Sequence, residues 1–163
     1  MMIKTNPTHN LALDLVRVTE AAALAAGRQM GRGNKLVADG AAVDAMRLIL
    51  NTIQMIGKIV IGEGEKDEAP MLYNGEILGT GSGPELDIAV DPIDGTRPLA
   101  FGLSNAIATV ALAPRGTMFD PGPFYYMMKI AVGAAARDAI DIDAPVAWNL
   151  EKVAKAKGVD VED

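Results

Sequence analysis

The chain has 163 residues, half of them hydrophobic and 22% charged, with a formal net charge of -6 at pH 7. That composition fits a folded chain of one domain, burying roughly 70% of its unfolded surface, and excludes a disordered polymer. The acidic balance supplies no basic stripe to track nucleic acid or an anionic membrane. The absence of cysteine excludes disulfides and thiolate metal sites, and is compatible with a reducing cytoplasm.

Met1 to Asn10 contains no apolar core of a secretory signal. Leu48 to Ile61 is the most apolar stretch, but Asn51, Gln54 and Lys58 break it too often for a membrane span. A first helix is predicted to open at Pro7 and Thr8. Leu11, Leu15, Val18, Ala22 and Ala25 recur on one face of it, and Gly27 to Gly33 ends it. A second helix is predicted to start at Asp39, with Val43, Met46, Leu50 and Ile53 on one face and Gly57 closing it. Strands are predicted over Lys58 to Ile61, Met71 to Leu78, Leu86 to Val90, Ala106 to Ala113 and Tyr125 to Val132. Gly79 to Pro84 reads as a hairpin turn, and Ala144 to Lys157 as a last helix. Two helices followed by several strands imply an α+β layer, not a βαβ series.

The chemistry-bearing residues are acids. Asp91-Pro92-Ile93-Asp94-Gly95-Thr96 places two carboxylates and a hydroxyl at the mouth of the strand Leu86 to Val90. Carboxylates are hard oxygen ligands of the kind Mg²⁺ or Mn²⁺ prefers. An Asp in such a turn also commonly bonds its own backbone. A calcium EF-hand loop does not fit, because the twelfth position from Asp91 is Gly102 where a Glu is required. Gly62-Glu63-Gly64-Glu65 follows a strand and could be an ordinary acidic surface turn. Its glycines allow close approach to a ligand, and Asp67 and Glu68 add like charge that only Lys66 opposes. Asp39, after Gly31-Arg32-Gly33-Asn34-Lys35, reads most simply as a helix N-cap. A helix N-terminus there, with Lys35 nearby, could also face an anion. Gly79 to Gly83 lacks the Lys of a P-loop. His9 is the sole histidine, so a His-based triad or zincin is not expected.

The Asp91 to Thr96 segment resembles the signature of the lithium-sensitive, Mg²⁺-dependent sugar phosphatase superfamily. Three longer stretches narrow the resemblance: Arg17 to Leu24, Ala38 to Arg47 and Ile59 to Leu72. Together they are similar to the class II fructose-1,6-bisphosphatases of bacteria, some of which also act on sedoheptulose 1,7-bisphosphate. The Gly-Glu-Gly-Glu stretch with its Glu-Ala-Pro-Met-Leu extension is the more specific part.

The resemblance implies two or more Mg²⁺ or Mn²⁺ ions held by Asp39, Glu63, Asp91 and Asp94. It implies that Thr96, with a metal-bound water, positions the nucleophile, that Asp39 is also catalytic, and that Asp94, Gly95, Thr96 and Tyr126 contact substrate. Many family members carry Glu where this chain has Asp94, whereas Asp is the superfamily's usual residue there. The implied activity is hydrolysis of the 1-phosphate of fructose 1,6-bisphosphate in gluconeogenesis, in the cytoplasm, by a homo-oligomer (dimer or tetramer) with no nucleic-acid or membrane partner. The implied fold is the N-terminal layer of the sugar-phosphatase αβαβα sandwich, two long helices on a mainly antiparallel sheet. The expectation is that residues 1–163 form the metal-binding domain and that a C-terminal substrate domain is absent. The alternatives are an inositol-phosphate or nucleotide phosphatase of the same superfamily, and a non-catalytic metal-binding or assembly module.

Overall fold

The computed structural model describes residues 10–63, 72–122, 124 and 126–162, which divide into two compact units between Asp120 and Pro121. In the first unit, α1 spans Leu11–Gly27 and α2 spans Lys35–Leu50. They are followed by β1 Ile56–Ile61, β2 Ile77–Leu78, β3 Glu85–Asp94, the single-turn α3 Thr96–Ala100 and β4 Ile107–Pro114. The strand order is β2-β1-β3-β4. β1 runs parallel to β3, while β2 and β4 run antiparallel to their neighbours. The fold is α+β on a mixed four-stranded sheet, with two of its three pairings antiparallel.

Helical periodicity sets which faces are buried. Val18, Ala22 and Ala26 of α1 and Ala38, Ala42, Met46 and Leu50 of α2 are sealed from solvent. The four alanines let the two helices approach closely, and Ile59, Ile88 and Val90 of the sheet close the same core. On β4, Ala108, Val110 and Leu112 face that core. The alternate residues Ile107, Thr109 and Ala111 are exposed, the period-two pattern of a half-covered strand.

Several boundaries differ from the sequence expectation. α1 begins at Leu11, where the Asn10 side chain accepts from the N–H groups of Ala12 and Leu13; Pro7, Thr8 and His9 lie outside the described residues. α2 begins four residues before Asp39, capped by Asn34, whose Oδ1 accepts from Val37 N–H at 3.2 Å. Asp39 is therefore a helix-interior residue, because an Asn earlier in the chain already satisfies the orphan donors. Gly57 lies inside β1, and the helix ends at Leu50. The predicted strand to Leu78 shortens to Ile77–Leu78, with Met71 outside the described residues. Gly79 to Pro84 is no hairpin turn, since β2 and β3 flank β1 on opposite sides.

In the second unit, α4 covers Val146–Lys157 and a short 3₁₀ turn covers Ala134–Ala136. Residues 126–132 form no strand, and Tyr125 lies outside the described residues. β-Branched content is a weak signal when no neighbouring strand offers a ladder. Instead, Met128, Ile130, Ile142, Leu150 and Val153 line an apolar cavity of about 480 Å³. Among the described residues, no helix is long and apolar enough to cross a membrane.

Candidate metal centre

Two parallel strands end side by side, and their exits carry the acids. β1 leads through Gly62 to Glu63, and β3 runs through Asp91 and Asp94 to Gly95 and Thr96. The Asp91 to Asp94 segment is strand, not the turn its Pro and Gly suggested. Asp91 pairs with Thr109 and Asp94 with Ile107, so β3 spends one residue more than β4 over that step. This is a β-bulge, and Pro92, which has no N–H to offer a ladder, sits within it. A second irregularity lies between Ile59 and Ile61 on β1, opposite Ile88 and Ala89. Both strands are thus re-aimed just before the acids they deliver.

After Asp94 the chain reverses at Gly95, at φ +89°, where a side chain would crowd the Asn105 carbonyl and Ala106. Thr96 then starts α3, and its Oγ1 donates to the Ile93 carbonyl at 3.1 Å. Asp39 reaches the same place from α2. The turn between α1 and α2 is fastened to the end of α3, Gly31 N–H to the Leu99 carbonyl at 3.1 Å and Gly33 N–H to the Ala100 carbonyl at 2.7 Å. Gly31 and Gly33 thus dock the start of α2 on the signature segment.

Three of the acids are raised, each by burial first, and Glu63 and Asp91 also by their acidic neighbours. Burial pushes the Glu63 carboxyl up to about 7, with Asp39 and Asp91 adding repulsion. Burial also raises Asp91, which feels Asp94 and Asp39, against a backbone hydrogen bond to Ile93 that lowers it. Asp39 is raised by burial and held back by a hydrogen bond with the Thr96 side chain. The single proton of Thr96 therefore has two acceptors, the Ile93 carbonyl and the Asp39 carboxylate. Carboxylate and hydroxyl oxygens of this kind are the chemistry that a hard divalent ion suits. Among the described residues, no three acids already close on a common point, so an ion would have to draw them together. Glu65, Asp67 and Glu68 lie outside the described residues. Tyr126 belongs to the second unit, where its side chain is almost wholly exposed.

Residues 9–163 match the profile of a family described as bacterial fructose-1,6-bisphosphatase, glpX-encoded. The chain belongs to this glpX-encoded fructose-1,6-bisphosphatase family. It is 54% identical over 148 residues to the class 2 fructose-1,6-bisphosphatase 1 of Escherichia coli K12. The same figures hold for the class 2 enzymes of Escherichia coli O6:H1 and Shigella flexneri. Each match covers 91% of this chain and 44% of the relative, so the chain spans less than half the length of the curated relatives it matches. All four acids and Thr96 lie inside the matched segment of this glpX-family chain.

Two other polar features carry no motif that sequence reasoning could find. Asp87 is buried on β3, within 3.2 Å of the Arg115 guanidinium. Its Oδ2 also accepts from Gly116 N–H at 2.6 Å. Arg47 of α2 grips Glu76 by two hydrogen bonds of 2.7 and 3.2 Å. Partners so far apart become visible only once the strands are paired.

Proposed function

We propose that this chain carries the divalent-metal centre of a sugar-bisphosphate phosphatase, directed at the 1-phosphate of fructose 1,6-bisphosphate. The observation that carries this is the upward shift of three carboxyls, Asp39 on α2, Glu63 after β1 and Asp91 on β3, each raised first by burial, with Asp39 and Asp91 repelling Glu63 and Asp39 repelling Asp91. The names of its relatives, each a fructose-1,6-bisphosphatase, support the substrate. Asp39, Glu63, Asp91 and Asp94 would hold Mg²⁺ or Mn²⁺. Bound there, the ion supplies charge neutralisation at phosphate and a lowered pKa for water.

The chain's own groups do the positioning. Thr96 donates its proton to the Asp39 carboxylate, which leaves a hydroxyl lone pair to accept from the attacking water and aim it in line. No histidine base is needed. The N–H groups of Gly95 and Thr96 would meet the phosphoryl group being transferred, and Tyr126 would contact the substrate. Orientation and charge neutralisation then account for most of the acceleration.

Calorimetry with Mn²⁺ tests the centre, and phosphate release from fructose 1,6-bisphosphate at millimolar Mn²⁺ tests the reaction. The expected result is Mn²⁺ binding by the chain and its loss, by more than a hundredfold, in Asp91→Ala. Wild-type binding by Asp91→Ala would falsify the centre. A panel of inositol and nucleotide monophosphates separates the substrate classes. A second reading, favoured by the 44% coverage of the relatives, is a metal-binding module without turnover of its own. It predicts Mn²⁺ binding with no phosphate release until the chain is joined to the remaining length of the Escherichia coli relative.

A further inference from the structure

The regular pairing of β2 with β1 covers only Gly57 and Lys58. Beyond it, residues Leu72 to Glu76 continue along the same edge of β1 without forming a strand. Ile59 N–H donates to the Glu76 carbonyl at 2.9 Å, and Gly75 N–H to the Ile59 carbonyl at 2.7 Å. Glu63 N–H donates to the Leu72 carbonyl at 2.8 Å. Between these, Gly62 N–H finds no main-chain acceptor on this edge and is received by Asn74 Oδ1 at 2.8 Å. An Asn side chain can mimic a peptide carbonyl in this way. The donor is a main-chain N–H, which fixes the orientation of the amide, its oxygen facing Gly62.

Gly62 also has no room to move aside. A Cβ there would collide with the Leu72 carbonyl and stand 2.8 Å from Ile59 Cγ2. The residue held so closely is the immediate neighbour of Glu63. The far end of the same segment is tied to the helix bearing Asp39, because Glu76 is gripped by Arg47 of α2 and both side chains are largely buried. Leu72 to Glu76 is thus a strut between two acid-bearing elements, fixed at one end by an ion pair and at the other by a side-chain amide.

We propose that Asn74 is a positioning residue of the metal centre, its amide oxygen replacing a ladder carbonyl to fix the β1 exit and aim Glu63. It touches neither ion nor substrate, and it rests on the metal-centre reading above. Partners one step removed from a ligand typically shift affinity by about 10- to 100-fold. An exposed hydrogen bond acting through one backbone step belongs at the lower end of that range.

The test is Mn²⁺ calorimetry on the wild-type chain, Asn74→Ala, Asn74→Asp and Asp91→Ala, each checked for folding by circular dichroism. Asn74→Asp keeps the accepting oxygen, and its added charge cannot weaken cation binding by repulsion. Asn74→Ala is expected to bind Mn²⁺ about tenfold more weakly, and Asn74→Asp to stay within about threefold of wild type. If Asn74→Ala does not fold, Asn74→Leu, of similar size and without an acceptor, takes its place. Unchanged affinity in the folded variant lacking the acceptor overturns the proposal, as does an equal loss in Asn74→Asp. No Mn²⁺ binding by the wild-type chain, which would make it indistinguishable from Asp91→Ala, overturns the metal centre itself and the role of Asn74 with it.

Discussion

In the first unit the polar side chains that leave the surface find partners far along the chain, whereas in the second they find them nearby. Arg47 bonds Glu76, 29 positions away, and Arg115 reaches across 59 positions to the Ile56 carbonyl. Among the described residues of the second unit, the buried Asn149 bonds Asp141, Ala144 and Pro145, none more than eight positions away. The apolar residues divide the same way. Those of α1, α2 and the sheet seal one continuous core, while Phe124, Tyr126, Met127 and Met128 stay exposed. Long-range locks make opening a cooperative event, and local ones let a segment open by itself. The unit with the long-range locks is the one that bears Asp39, Glu63, Asp91 and Asp94, and functional side chains need such fixed supports.

The largest effect on stability is expected where a long-range lock is also a buried charge. Asp87→Ala takes away the carboxylate facing the Arg115 guanidinium, which keeps only the Leu86 and Ile56 carbonyls as acceptors among the described residues, and leaves Gly116 N–H without the carboxylate that accepts it. Removing one partner of a buried ion pair costs about 3–5 kcal/mol. Chemical denaturation followed by far-ultraviolet circular dichroism should register a loss of that order. A loss below about 1 kcal/mol would place Asp87 among surface ion pairs and erase the contrast between the units.

A smaller effect is expected from the local lock. Asn149 Oδ1 accepts from Asp141 N–H at 2.9 Å, and Nδ2 donates back to the Asp141 carbonyl at 2.8 Å. Asn149→Ala leaves both Asp141 groups to solvent or unpaired, at a cost of about 1–3 kcal/mol. The chain's only tryptophan, Trp148, precedes it on α4, so its fluorescence reports this unit directly. The urea midpoint of that signal should fall in Asn149→Ala. An unmoved midpoint would mean that the two hydrogen bonds do not hold the unit.

The helices and β4 were legible because their signals are local. Val18, Ala22, Met46 and Leu50 recur at helical spacing and are all buried. β4 alternates as a half-covered strand should. The acids stand out in the sequence because Glu63 and Asp91 each follow an apolar run. What escaped depended on a partner. The bulge that turns Asp91-Pro92-Ile93-Asp94 into strand exists only against β4. Asp39 looked like a cap because the competing cap, Asn34, is an equally ordinary polar residue. The strand expected over Tyr125 to Val132 failed over 126–132 because apolar residues do not by themselves supply a pairing edge. Asn74 and the Asp87–Arg115 pair carry no motif, and their roles appear only once β1, β3 and β4 are in register.

The finest difference between the regions is a charge that the first unit holds at some cost. The Glu63 carboxyl is raised from 4.5 to about 7. Below pH 4.5 both folded and unfolded chains carry its proton, and it contributes no difference. Between 4.5 and 7 the folded chain binds more proton than the unfolded one, so stability falls as pH rises. Above 7 the whole penalty is present, and the upward shifts of Asp39 and Asp91 act in the same direction. Solvent reaches about half of Glu63, which reduces the effect to the order of 1–2 kcal/mol. In metal-free buffer the urea midpoint should therefore be higher at pH 5.5 than at pH 8, with Glu63→Gln nearly removing the slope. Saturating Mn²⁺ should reverse that slope, since a cation supplies at high pH the charge whose absence makes the ionised cluster costly. A metal-free chain more stable at pH 8 than at 5.5 would mean that these carboxylates do not repel one another, and the convergence on which the centre depends would be lost.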